Sequence, residues 1–127
     1  MESYNNFIGI DIGKFSFVVS HYGKTDEFNN DDSGIALFIK HYSSQLETSF
    51  IVLEVTGGYE MLLLLTLCEL GHQVHRANTR KVKNFIRSYG NTAKTDNLDA
   101  KALALYGSER WRTLKIFTPQ SKQVVVL

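Results

Sequence analysis

A single cysteine, Cys68, stands in a chain of 127 residues. One thiol excludes a disulfide framework and a cysteine-built zinc site within the chain, and it fits a reducing cytosol. Cys68 lies in the apolar run MLLLLTLCEL and is expected to serve as a small buried hydrophobe. Long apolar runs are also missing. The longest, residues 61–68, is interrupted by Thr66 and is too short to span a bilayer. The opening MESYNNFIGI has no basic region ahead of its short apolar stretch, so it does not read as a signal peptide. No membrane association is expected. Net charge is nearly absent too, at +1, so the composition sets up no global field. Internal repeats and low-complexity segments are lacking.

What remains is one domain with an ordinary apolar fraction of 43%. Tyr4–Ile12 and Ser16–His21 read as strands paired through a turn at Gly13-Lys14, and Thr25–Phe28 reads as a short third strand. A helix over Gly34–Tyr42 follows, with Asp32 or Ser33 as its N-cap. Phe50–Leu53 is a continuous apolar run, the pattern of a central strand covered on both faces. A helix opening at Thr56-Gly57 runs to about Leu70, where Gly71 closes it. Gln73–Arg76 is a short strand, Arg80 to about Tyr89 a helix with Thr79 as N-cap, and Asn97–Glu109 another helix. Lys115–Thr118 reads as a strand end, stopped by Pro119. This order predicts a mixed α/β sheet with helices on its faces.

The most informative stretch is AKTDNLDAKALAL, residues 93–105. It places Asp96 and Asp99 three residues apart at a helix start, so both are expected on one face. Asp11 ends the apolar run FIGID, and Glu54 ends FIVLE just before Thr56-Gly57-Gly58. Four acids from three segments, at strand ends and a helix start, suit a divalent-metal site for phosphodiester chemistry. Each acid also has a plainer role. Asp96 fits an N-terminal helix cap with Asp99 at the third helical position, Asp11 a turn at Gly13, and Glu54 a surface ion pair. Glu60, six residues after Glu54, is expected inside the helix and facing solvent.

The charge is unevenly spread. Between Arg76 and Lys101 stand seven cations and two acids, Asp96 and Asp99. Arg80, Lys83 and Arg87 share one predicted helix face that suits a phosphate backbone, with Lys81 beside them and Lys94 next to the acids. Tyr89 suits stacking on a base, or a place in the core.

The ordered set FIGIDIGK, LEVTGGYE, GHQVHRAN and KTDNLDAKALA resembles the N-terminal domain of the DEDD transposases of the insertion-sequence 110 family, related to the Piv invertases. E-x-T-G and K-T-D-x-x-D-A are specific in combination. The resemblance implies a ribonuclease H-like, RuvC-type fold over residues 1–110, with an antiparallel three-strand start followed by parallel strands. It also implies metal-dependent DNA cleavage and transfer, with Asp11, Glu54, Asp96 and Asp99 as catalytic ligands to Mg²⁺ or Mn²⁺. Arg80, Lys81, Lys83, Arg87 and Lys94 then become nucleic-acid contacts. The implied partners are DNA, a guide (bridge) RNA and a second copy of the chain, in a bacterial or archaeal cytoplasm at the nucleoid. The family carries a further C-terminal domain with a nucleophilic serine, to which neither Ser108 nor Ser121 corresponds. Residues 111–127, ending on VVVL, are therefore expected to be the cut-off start of a following segment. The family usually has Pro after the Asn that here is Asn78; Thr79 replaces it.

Two other functions fit parts of the pattern. GIDIGK is similar to the phosphate-binding hairpin of actin-like and sugar-kinase ATPases, which need a second lobe. A truncated transposase that only binds nucleic acid or dimerises is the third reading. The leucines at 62–65 and 67 exceed what one buried stripe requires.

Overall fold

The structure is a computed structural model that describes residues 4–54, 57–88 and 99–119. Its centre is a five-stranded sheet made of β1 (Asn6–Ile12), β2 (Ser16–His21), β3 (Lys24–Asn29), β4 (Ser49–Glu54) and β5 (Gln73–Ala77). The order across the sheet is β3-β2-β1-β4-β5. The first three strands pair antiparallel through tight turns. β4 then joins β1 in parallel, and β5 joins β4 in parallel. This is the mixed ribonuclease H-like sheet that the sequence predicts. The strand assignments agree to within one or two residues at each end.

Alternation along the strands decides which face each side chain meets. Ile8, Ile10 and Ile12 of β1, with Ile51 and Leu53 of β4, are buried in one core cluster. That cluster includes Ile35 and Phe38 of α1 (Asp32–His41), Leu46 of α2 (Ser43–Leu46) and Leu63, Leu64 and Leu67 of α3 (Met61–Glu69). Phe50 and Val52 of β4 turn the other way. They pack with Val82 and Phe85 of α4 (Thr79–Arg87) and with Leu103 and Tyr106 of α5 (Ala100–Arg110). Helices therefore cover both faces, and each fully buried Ile, Leu or Phe contributes about 1.5–3 kcal/mol of transfer free energy. By the same alternation, Asp11 and Glu54 belong to the α4–α5 face.

A close backbone approach lies on that second face. A Cβ on Gly9 would overlap the carbonyl oxygen of Ala100 and the amide of Ala104. One on Gly107 would meet Val52 Cγ2 at 2.8 Å. Helix α5 thus lies directly on β1 and β4, because small residues remove the side chains that would hold it off.

Helix boundaries are where the structure departs from the sequence reading. Asp31 caps α1, its Oδ1 accepting from the Gly34 amide at 2.8 Å. Helix α3 begins at Met61 and not at residue 56, because Gly57 and Gly58 take left-handed φ values of 71° and 107° and turn the chain first. Gly71 does close α3 as expected. Its amide bonds to Cys68 O and that of His72 to Leu67 O, the paired bonds of a Schellman motif. The cap of α4 is Asn78, whose Oδ1 accepts from the Lys81 amide, and Thr79 is the first helical residue. Leu114–Phe117 forms no strand but lies beside β5, with the Phe117 amide donating to Val74 O at 2.7 Å. Cys68 is only partly buried. No helix among the described residues is long and apolar enough to cross a membrane.

Candidate active site

Parallel pairing of β1 and β4 brings their C-terminal ends together. The register pairs Gly9 with Val52 and Ile10 with Leu53, so the next step sets Asp11 beside Glu54. Both side chains emerge on the α5 side of the sheet. Asp99 reaches the same end from above. It is the N-cap of α5, in extended backbone, with Oδ1 accepting from the Ala102 amide at 2.9 Å. The seating of α5 on Gly9 holds that helix start over the end of β1.

The electrostatics report this convergence. Asp11 is half-buried, and its carboxyl is pushed above the usual carboxylate range. Burial is the largest cause, followed by the charges of Glu54 and then Asp99. Like charges gathered at one sheet end are costly, and a cation relieves the repulsion. Carboxylate oxygens are the donors that a hard divalent ion prefers, so the donor chemistry fits Mg²⁺ or Mn²⁺. The three groups are near enough to repel without forming a finished ligand shell. Among the described residues, no group of three His, Cys, Asp or Glu side chains is close enough to hold a metal ion. Asp96, the fourth predicted ligand, lies outside the described residues, as do Lys94, Tyr89 and Thr56. Asp99, expected at the third position of a helix, is instead the N-cap of α5, which starts at Ala100. Of the expected helix over Asn97–Glu109, residues 97 and 98 lie outside the described residues and residues 100–109 belong to α5.

Glu54 is oriented by a partner that the sequence did not single out for that role. The Thr79 hydroxyl donates to its Oε2 at 2.8 Å. Having been displaced from the cap by Asn78, Thr79 uses its hydroxyl on the strand carboxylate.

Glu60 is the clearest correction. It is completely buried, one residue ahead of α3, and does not face solvent. Its Oε2 accepts from Arg76 Nε at 3.0 Å and Nη2 at 2.6 Å, and its Oε1 accepts from the Gly58 amide at 3.1 Å. A buried charge persists only when paired and hydrogen-bonded, and this one ties the turn after Glu54 to β5. Arg76, a cation between Val74 and Ala77 in a short strand, was the signal for such a partner. Asn30 adds a second tie. Its Nδ2 donates to Gly13 O at 3.0 Å and to Tyr59 O at 2.9 Å. The β1–β2 turn and the glycine turn after β4 are thereby held together.

The predicted phosphate contacts divide over α4. Val82 and Phe85 face the core, while Arg80, Lys81 and Arg87 are exposed and Lys83 is partly so. Arg80 and Lys81 line a cleft with Arg76, Asn78 and Thr79, the residue bonded to Glu54. His75 sits in β5, its Nδ1 donating to Lys115 O at 2.7 Å.

A family model described as a transposase, of the insertion-sequence 110 DEDD type, matches residues 8–127. A search of curated proteins finds no match.

Proposed function

The chain belongs to this transposase family, and from that premise we propose that Asp11, Glu54, Asp96 and Asp99 bind a divalent cation for DNA strand cleavage and transfer. The observation that carries the reading is the β1–β4 register that sets Asp11 beside Glu54 at one end of the sheet, with Asp99 near enough for its charge to bear on Asp11. When bound, Mg²⁺ or Mn²⁺ supplies charge stabilisation for the attacking and leaving oxygens of a phosphodiester.

The chain's own residues set the geometry for that chemistry. Asp11 sits on the central strand and gives a rigid anchor. Thr79 fixes the rotamer of Glu54, and the α5 cap fixes Asp99. Lys94, Arg80, Lys81, Lys83 and Arg87 attract the phosphate backbone and contribute affinity more than sequence choice. Self-association belongs to the same proposal, supported by Leu62 and Leu65, which stay 44% and 39% exposed on α3.

Titration of Mn²⁺ into the wild-type chain and Asp11→Ala, followed by thermal unfolding, tests the site. Stabilisation of the wild type alone is expected. Equal responses of the two proteins reject the metal site.

A further inference from the structure

A cleft lies away from the three carboxylates, along the outer edge of β5. It has a volume of about 790 Å³ and is walled by α4, by the end of α5 and by the Leu114–Phe117 segment. Cations come from every wall: Lys81 from α4, Arg110 from α5, Lys115 from the last segment, and Arg76 from the strand floor. No Asp or Glu is among the described lining residues. Asn78, Asn84 and Ser88 add neutral hydrogen-bonding groups.

Two of these cations are held in place. The Arg110 guanidinium lies 5.0 Å from the Phe85 ring centroid, a cation–π contact that keeps its charge at the groove mouth. The segment carrying Lys115 is fastened to β5 by its bond to His75 and by the Phe117 amide. Arg76 is shared with Glu60, so it contributes less net charge than the others.

This groove is continuous with the catalytic end. It shares Arg76, Asn78 and Lys81 with the cleft that contains Thr79, and Thr79 bonds Glu54. A track of positive charge therefore leads from the carboxylates along the β5 edge. Arg80, Lys83 and Arg87, the helix face expected from sequence, are not on the groove wall. Residues 81, 84 and 88 are.

We propose that the β5-edge groove is a second nucleic-acid site, which holds the phosphates of a single strand leaving the carboxylate end and uses Lys81, Arg110 and Lys115. The partner class rests on the transposase reading; the site itself does not depend on the metal chemistry. A cleft of this volume takes a drug-sized ligand, the size of one or two nucleotides of one strand. Its contacts are charge and hydrogen bonds at the backbone, so the strand is recognised as a polyanion, DNA or RNA.

Fluorescence anisotropy of short labelled oligonucleotides, with the full chain in metal-free buffer over a salt series, tests this. Arg110→Gln/Lys115→Gln is expected to weaken single-strand binding roughly tenfold. It should also flatten the slope of log affinity against log salt by about 1.4, or about 0.7 for each lost phosphate contact. Lys24→Gln/Lys40→Gln, on the far side of the sheet, serves as the control and leaves both unchanged. Single-stranded DNA and RNA are titrated separately, and the tighter of the two names the source of the strand. Asp11→Asn, which abolishes the metal response if the catalytic reading holds, leaves this binding intact, so the two proposals fail separately. Equal losses in the groove and control variants, or a duplex bound as tightly and with the same sensitivity, overturn the assignment. Circular dichroism of each variant confirms the fold, and Lys115→Gln alone, at an exposed side chain, repeats the test without disturbing the Arg110–Phe85 contact.

Discussion

The carbonyl oxygen of Ala100 occupies the space that a side chain on Gly9 would fill. This contact sets how close α5 comes to β1 and therefore how close Asp99 comes to Asp11. The obstacle to any larger residue is backbone on both sides, which cannot rotate away. Gly9→Ala is expected to destabilise the chain by about 1–3 kcal/mol through overpacking. It is also expected to lose the Mn²⁺ response, because the helix start moves off the strand end. Thermal unfolding with and without Mn²⁺ checks both effects. An unchanged melting temperature would show that α5 is free to shift.

Asp99 has two duties that one pair of substitutions separates. As N-cap it accepts from the Ala102 amide; as a carboxylate it adds charge to the site. Asparagine caps as well as aspartate, whereas alanine does not. Asp99→Ala is expected to cost about 1 kcal/mol of stability, and Asp99→Asn close to none. Both are expected to weaken Mn²⁺ binding. If Asp99→Asn keeps full Mn²⁺ affinity, the residue is a cap and nothing more.

Thr79 is a positioning residue for Glu54. Thr79→Val keeps the shape and removes the hydroxyl that donates to Oε2. Losing a ligand-orienting hydrogen bond typically costs 10–100-fold in metal affinity. The stability loss should stay near the 0.5–1.5 kcal/mol of one hydrogen bond. Isothermal titration with Mn²⁺ on Thr79→Val and Thr79→Ser checks this, serine restoring the affinity. A fall in stability without a fall in affinity would make the bond structural only.

Sheet and layer order were legible because periodicity carries them. Ile8, Ile10 and Ile12 alternate with Phe7, Gly9 and Asp11, and the period of two alone assigns Asp11 to a face. Helix starts were less legible, since Asp31, Asn78 and Asp99 each compete for the cap with a neighbour of equal propensity. Tertiary packing decides between them. Asp11 and Glu54 were readable as strand-end acids. The Glu60–Arg76 pair was not, because nothing local in residues 60–70 says that a carboxylate just before a leucine run turns inward. The β5-edge groove was equally hidden. It gathers residues 75–88, 106–110 and 113–117, and only the fold makes them neighbours.

The crowding of carboxylates predicts the sign of one pH effect. The Asp11 carboxyl is raised from its ordinary value of 3.8 by burial first, then by Glu54 and Asp99. Between that value and the raised one, the folded chain holds a proton that the unfolded chain has released. Stability from this group therefore falls as pH rises through the window, and the full penalty remains above it. Other carboxylates contribute their own slopes, so the quantity to measure is a difference. In metal-free buffer, the melting temperature of Asp11→Asn minus that of wild type should be near zero at the acid end. It should grow positive toward neutral pH. Added Mg²⁺ should reverse the sign at neutral pH, because only the wild type keeps the full ligand set and the cation competes with the proton. A difference that stays flat with pH would mean that Glu54 and Asp99 do not act on Asp11. The convergence on which the metal site depends would then be gone.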